Sequence, residues 1–335
     1  MVIQQRFSHA LCGAGWLSHD HSDYASALRL FEEGLDIARG VGDRHAVGMA
    51  LQGVGRIVML QGDQARARRC FEEARSTFLE LGDREELAWA NSNLGQLLRR
   101  QADLRGAEEC YAKSLEIFQE IQQVWGIATA LPLLAGTLLD RANPGQAKEL
   151  LDPHLARMRE TGDTNGAIFT WGLTLLGEAE VALGNVERAE RVLEECGSIC
   201  RARAYTNQVA YVEECWGRLC LELGELERSR KHFRDSLVLQ HSLGDSWALT
   251  RVLEWVAILI ARLGNAWVAA QILAATNTIR SQERIPRGLV HQRAHDELQA
   301  RLAESVDAQA LASASQQGRE MTLEQTVSLA LAQLE

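Results

Sequence analysis

Residues 51–85, LQGVGRIVMLQGDQARARRCFEEARSTFLELGDRE, decide the fold of this chain. Leu51, Val54, Ile57 and Val58 recur three or four apart and mark one face of a helix. Ala67, Phe71, Ala74 and Phe78 do the same after the turn at Gly62-Asp63. Gly62 suits the left-handed residue that ends a helix. The Asp63 carboxylate suits the N-cap of the next helix, where it accepts free backbone N–H groups. Gly82-Asp83 repeats the punctuation, so the stretch reads as helix, short turn, helix, turn. Gly55 and Ala67 predict where the two helices approach closely, since a bulky side chain there would cost roughly 1–3 kcal/mol of overpacking strain.

Outward from this stretch the pattern repeats. Ala27, Ala67, Ala107 and Ala147 lie 40 residues apart; Ala189 follows after 42, then Ser229 and Ala269 after 40 each. Twelve residues before each stands a second small residue: Gly15, Gly55, Gly95, Ala135, Gly177, Gly217 and Ala257. A large apolar position follows in step at Phe31, Phe71, Tyr111, Leu151, Leu193, Phe233 and Leu273. Self-similarity at a fixed period is the signature of a solenoid, in which each hairpin buries its core against its neighbours. The expected units are approximately 5–43, 44–83, 84–123, 124–163, 164–206, 207–245 and 246–283. Pro132 and Pro153 fall inside helices of the fourth unit, where proline removes a backbone donor, and predict a local irregularity.

This pattern resembles the tetratricopeptide repeat (TPR): a small residue on the first helix, a small residue after the turn, and an aromatic four positions on. The resemblance implies an all-α fold, a right-handed TPR-like superhelix of about seven helical hairpins over residues 1–283, with a C-terminal helical cap at 284–335. The chain's end carries a second resemblance. Ala269-Ala270-Gln271-Ile272-Leu273-Ala274-Ala275, a linker, and Gly318-Arg319-Glu320-Met321-Thr322-Leu323-Glu324 resemble the close of TPR sensor regions in bacterial STAND and LuxR-type ATPase regulators. Thr322 and Gln325 also read as a capping box at the last helix. That likeness implies a regulatory sensor arm, with a P-loop ATPase or a helix-turn-helix domain as partner. The chain itself has no GxxxxGK[ST] phosphate loop, and no glycine precedes any of its three lysines, Lys113, Lys148 and Lys231.

Composition narrows the function. A net charge of −10 opposes a general nucleic-acid surface, which needs a basic face. The longest apolar run, Val252 to Ala261, is interrupted by Glu254 and is shorter than the roughly 20 residues a membrane span needs. The N-terminal residues lack signal-peptide architecture, so the expected location is cytoplasmic. The seven cysteines agree with reduced, packed thiols. Cys196, Cys200, Cys215 and Cys220 lack CxxC spacing, and we expect no metal and no cofactor.

In a TPR solenoid the first helix of each pair lines the inner face. Phase places Trp16, Gln52, Arg56, Trp89, Gln96, Arg99, Trp171, Glu178, Tyr211, Glu214, Arg218, Arg251 and Glu254 on that stripe. Aromatics interleaved with arginines suit a protein or peptide partner. Arg56, Arg99 and Arg100 make one half basic; Glu178, Glu214 and Glu254 make the other acidic. The pairs Glu32-Glu33, Glu72-Glu73 and Glu108-Glu109 recur in phase and read as the solvated face of second helices. His291 and His295, spaced i and i+4, read as a solvated face of a tail helix. No nucleophile, base and oxyanion donor assemble, so we expect a non-enzyme.

Overall fold

The computed structural model describes residues 2–21, 23–164 and 166–335. Every element in them is helical. The first three hairpins pair α1 (Val2–Asp20) with α2 (Tyr24–Val41), α3 (Arg44–Leu60) with α4 (Gln64–Leu81), and α5 (Arg84–Arg100) with α6 (Leu104–Glu120). The fourth comprises α7 (Val124–Asp140) and α8 (Pro144–Thr161). The last three are α9 (Ala167–Ala182) with α10 (Val186–Ala202), α11 (Thr206–Glu222) with α12 (Leu226–Leu243), and α13 (Ser246–Arg262) with α14 (Ala266–Glu283). Three further helices follow: α15 (Leu289–Ser305), α16 (Ala308–Arg319) and α17 (Leu323–Leu334).

The turns are built as the sequence demands. Gly62 has φ +87°, and the Asp63 side chain accepts from the Arg66 N–H. The same carboxylate cap recurs at Asp43, Asp83, Asp103 and Asp245, each bonding the N–H three residues on. A cap of this kind contributes about 1 kcal/mol. Where the repeat lacks glycine the backbone still turns left-handed: Ala102 has φ +62° and Ala142 φ +56°. Thr322 and Gln325 form the reciprocal capping box at α17.

The small and large beats of the repeat explain one another, with a difference from expectation. The side chain nearest Gly55 is the Phe71 ring, not Ala67; a Cβ on Gly55 would lie 2.6 Å from Phe71 Cε1. Gly15 seats Phe31, Gly95 seats Tyr111 and Gly217 seats Phe233 in the same way. The small residue on the first helix is therefore a socket for the aromatic of the second. All four rings are fully buried, and truncating such a ring costs about 3–5 kcal/mol. Ser229, where other units have alanine, donates its hydroxyl to the Gly217 carbonyl at 2.8 Å.

The chain divides into two compact units, Met1–Thr137 and Leu138–Glu335. The division falls inside α7, five residues past Pro132. Helices α7 and α8 run unbroken through Pro132 and Pro153, so the expected irregularity does not end either helix. In the second unit α16 packs on α14, and α17 on α12, α13 and α14. Gly318 lies against the backbone of α14, where a Cβ would come within 2.2 Å of the Gln271 carbonyl oxygen. Helix α15 packs on α13 through one face, His291, His295, Leu298 and Leu302. This corrects the solvated reading of the two histidines: each is only 7% exposed. Their spacing with Leu298 and Leu302 continues a single apolar stripe, and the imidazoles are buried with it.

Candidate functional site

The residues expected on the inner stripe are arranged differently in the two units. In the first unit α1, α3 and α5 pack side by side. Trp16 is half-buried, its ring edge-on to Phe31 with centroids 5.2 Å apart; Trp89 meets Phe118 the same way at 4.8 Å. Gln52 is buried; it donates to the Glu86 carboxylate at 2.7 Å and accepts from the Asn93 amide at 2.8 Å. Burial pushes the Glu86 carboxyl above its ordinary value, against the Gln52 hydrogen bond. Arg56 donates to Gln96 Oε1 at 2.5 Å, while its Nε is buried and has no partner. Burial and then the neighbouring Arg100 hold the Arg56 guanidinium below its ordinary value, and no carboxylate compensates. Arg99 is half-buried on the last turn of α5 and Arg100 is exposed.

In the second unit the corresponding positions close upon themselves. Arg218 Nη1 donates to Glu178 Oε1 at 2.8 Å, and the Tyr211 hydroxyl donates to the other carboxylate oxygen. Burial alone would raise the Glu178 pKa; Arg218, Arg251 and Tyr211 reverse this and bring it to about 2. Arg251 binds Glu214 through Nε and Nη2, at 3.1 and 2.9 Å, and lies over the Tyr211 ring at 4.0 Å. Glu254 receives Arg280 at 2.8 Å and Arg287 at 2.6 Å, with His291 Nδ1 at 3.5 Å. The hydrogen bond with His291, then the charges of Arg280 and Arg287, outweigh burial and keep the Glu254 carboxyl below its ordinary value. Arg218 also stacks over Trp255 at 4.7 Å. Trp171 is half-buried on α9. The expected acidic half is thus not an exposed acidic face: Glu214 is 0% and Glu254 2% exposed. Each carboxylate is matched to an arginine, because an unpaired buried charge would be far more costly.

The recurring glutamate pairs on α2, α4 and α6 are half-buried to exposed. All seven cysteines are buried and unbridged, with Cys196 Sγ 3.8 Å from Cys200 Sγ. Among the described residues, no cluster of three or more His, Cys, Asp or Glu side chains could hold a metal ion, and no helix is long and apolar enough to cross a membrane. Reading the stripe from the small position alone missed Glu86 and Asn93 in the first unit, and Arg280 and Arg287 in the second. Glu86 and Asn93 stand three and four residues from Trp89, on the same helix face, and that spacing would have found them. Arg280 and Arg287 had no such signal, because they reach Glu254 from α14 and the α14–α15 connection.

Residues 47–120, most of the second and third hairpins, match the family model described as tetratricopeptide repeat. Solved structures share the fold over most of the chain. The apo form of RapI aligns with a TM-score of 0.64 at 14% identity, covering 89% of this chain and 99% of its own. Aspartyl phosphate phosphatase F from Bacillus subtilis gives 0.59 at 12% identity, covering 88% and 76%. A Rap protein complexed with competence and sporulation factor gives 0.53 at 12%, covering 90% and 100%. At these identities the likeness establishes the fold alone. No curated protein matches the sequence. The chain is a helical-hairpin repeat protein. Its fold is a TPR-like solenoid, and residues 47–120 match the tetratricopeptide repeat itself.

Proposed function

We propose that this protein is a non-catalytic module that binds a protein or peptide on the inner stripe of its first unit. One observation carries this reading. Trp16, Trp89, Arg56, Gln96 and Arg99 are at least partly accessible on neighbouring first helices, and Arg56 has no counter-ion there. A half-buried aromatic beside charge-assisted donors is the composition of an interface hot spot. A Rap protein of the same fold, solved in complex with competence and sporulation factor, supports partner binding on this architecture. The likeness to an aspartyl phosphate phosphatase is one of fold, and no nucleophile with its base is assembled on the stripe.

The finer reading is a cytoplasmic sensor or regulatory arm of a bacterial signal-transduction regulator of the STAND or LuxR type. The closing sequence from Gly318 to Glu324 supports it. A P-loop ATPase or helix-turn-helix domain encoded in an adjacent reading frame would be its output partner. The alternative is a free-standing adaptor that holds partner proteins together. Partner capture from a lysate of the native cell tests the binding reading. Trp89→Ala with Arg99→Ala should abolish capture while the helical circular dichroism stays unchanged. Equal capture by the folded variant would overturn the reading. A gene neighbourhood without any ATPase or helix-turn-helix frame would overturn the sensor reading and leave the adaptor.

A further inference from the structure

The position just after the small residue of each first helix forms one rung per repeat. In the second unit, Glu178 and Arg218 occupy this rung in consecutive repeats, and they form a buried ion pair at 2.8 Å. In the first unit, Arg56 and Gln96 occupy it, and they meet at 2.5 Å. The contact is analogous, with the arginine now on the earlier repeat and a neutral amide in place of the carboxylate. The cation therefore goes uncompensated, with Nε buried and unpartnered. Protein interiors seldom leave a charge in this state, since desolvation without a counter-charge is costly.

We propose that the missing carboxylate is supplied in trans, and that the first unit's inner stripe recognises an acidic segment of an extended peptide, with a Glu or Asp side chain seated on Arg56. The proposal rests on the partner-binding reading and names the partner's chemistry. Arg100, one residue beyond Arg99, is exposed and adds to the local positive charge, so a second acidic residue has a site. Gln96 uses Oε1 and Asn93 uses Nδ2 in these bonds, and among the described residues Gln96 Nε2 and Asn93 Oδ1 have no partner, leaving one donor and one acceptor for a peptide backbone. Trp89, three and seven residues before Ser92 and Gln96 in helical step, offers a half-buried ring to an apolar side chain. A nucleic acid is a poorer occupant: the chain is acidic overall, at −10, and a polyanion would be repelled beyond the stripe.

The test uses the full chain and an eight-residue glutamate peptide with a neutral fluorescent label, read by anisotropy at low salt. Octaglutamine is the uncharged control, and inorganic phosphate is the competitor. The octaglutamate should bind and the octaglutamine should not. Gln96→Glu rebuilds the rung of the second unit. It should raise the urea midpoint and weaken octaglutamate binding at least tenfold. Arg56→Met should weaken binding by a similar factor without loss of helicity, and it stands in for Gln96→Glu should that variant not fold. Octaglutamate affinity unchanged in both folded variants would overturn the proposal, as would equal binding of octaglutamine. Displacement by phosphate at equal charge concentration would overturn the peptide and leave a lone-anion site. If a cellular partner is lost in the Trp89/Arg99 variant yet held by Gln96→Glu, the acidic chemistry fails and partner binding stands. If neither variant changes capture, partner binding itself fails.

Discussion

Replacing Glu178 by glutamine keeps the shape of the rung between α9 and α11 and removes only its charge. Arg218 Nη1, 2.8 Å away, and Arg251 then remain buried with less to neutralise them. The magnitude follows from linkage. A carboxyl ordinarily at 4.5 but held at about 2 in the fold contributes roughly 3 kcal/mol at neutral pH, at 1.36 kcal/mol per tenfold. Breaking a buried pair by removing one partner gives about 3–5 kcal/mol, which agrees. The sign is fixed by the lowered pKa: the stability is complete above about pH 4.5 and is lost as the pH falls towards 2. Urea unfolding of Glu178→Gln at pH 7, followed by tryptophan fluorescence, should therefore show a loss of about 3 kcal/mol. Between pH 5 and pH 2 the variant should lose correspondingly less stability than the parent. Adding Arg218→Met to Glu178→Leu should recover most of the loss, because packed apolar side chains substitute well for a buried ion pair. A variant within about 0.5 kcal/mol of the parent at pH 7, with the same acid slope, would refute the reasoning.

Two glycines should respond oppositely to the same methyl group. Gly318→Ala places a Cβ against the Gln271 backbone and should destabilise the packing of α16 on α14 by about 2 kcal/mol, whereas Gly13→Ala, with nothing within 4 Å on α1, should stabilise by about 0.5–1 kcal/mol; both are read from urea midpoints. Ala102→Gly should stabilise by about 0.5–1 kcal/mol, because it relieves a left-handed alanine at φ +62° and keeps the turn; an unchanged or lower melting temperature would count against that account. The cysteines should resist Ellman's reagent at pH 8 until the chain unfolds, since all seven are buried and burial, helped by Asp43, pushes the Cys12 thiol up to about 11. Rapid reaction of several thiols in the folded protein would refute their burial.

How much was legible before folding depends on the kind of interaction. The 40-residue beat located hairpins, turns and caps because those are local: Asp63 bonds an N–H three residues away, and Gly62 needs only its own φ. The phase of the small position also placed Trp89, Gln96 and Arg99 on one helix face, since three- and four-residue steps suffice for that. Partnership was not legible in the same way. Glu178 and Arg218 are 40 residues apart, and Glu254 is bound by arginines 26 and 33 residues away. Nothing in the spacing distinguishes an acid facing solvent from one that is matched across repeats.

The sequence by itself thus determined the helical-hairpin solenoid, its period, its turns and which residues share a face of each first helix, because backbone geometry and side-chain volume act over a few residues. Only the tertiary structure decided that Phe71 rather than Ala67 fills the socket at Gly55. Only it decided that His291 and His295 are buried. It also decided that the rung carrying Glu178 is electrically closed while the rung carrying Arg56 is open. Burial and charge compensation are properties of a neighbourhood assembled from distant parts of the chain, and no local pattern encodes them.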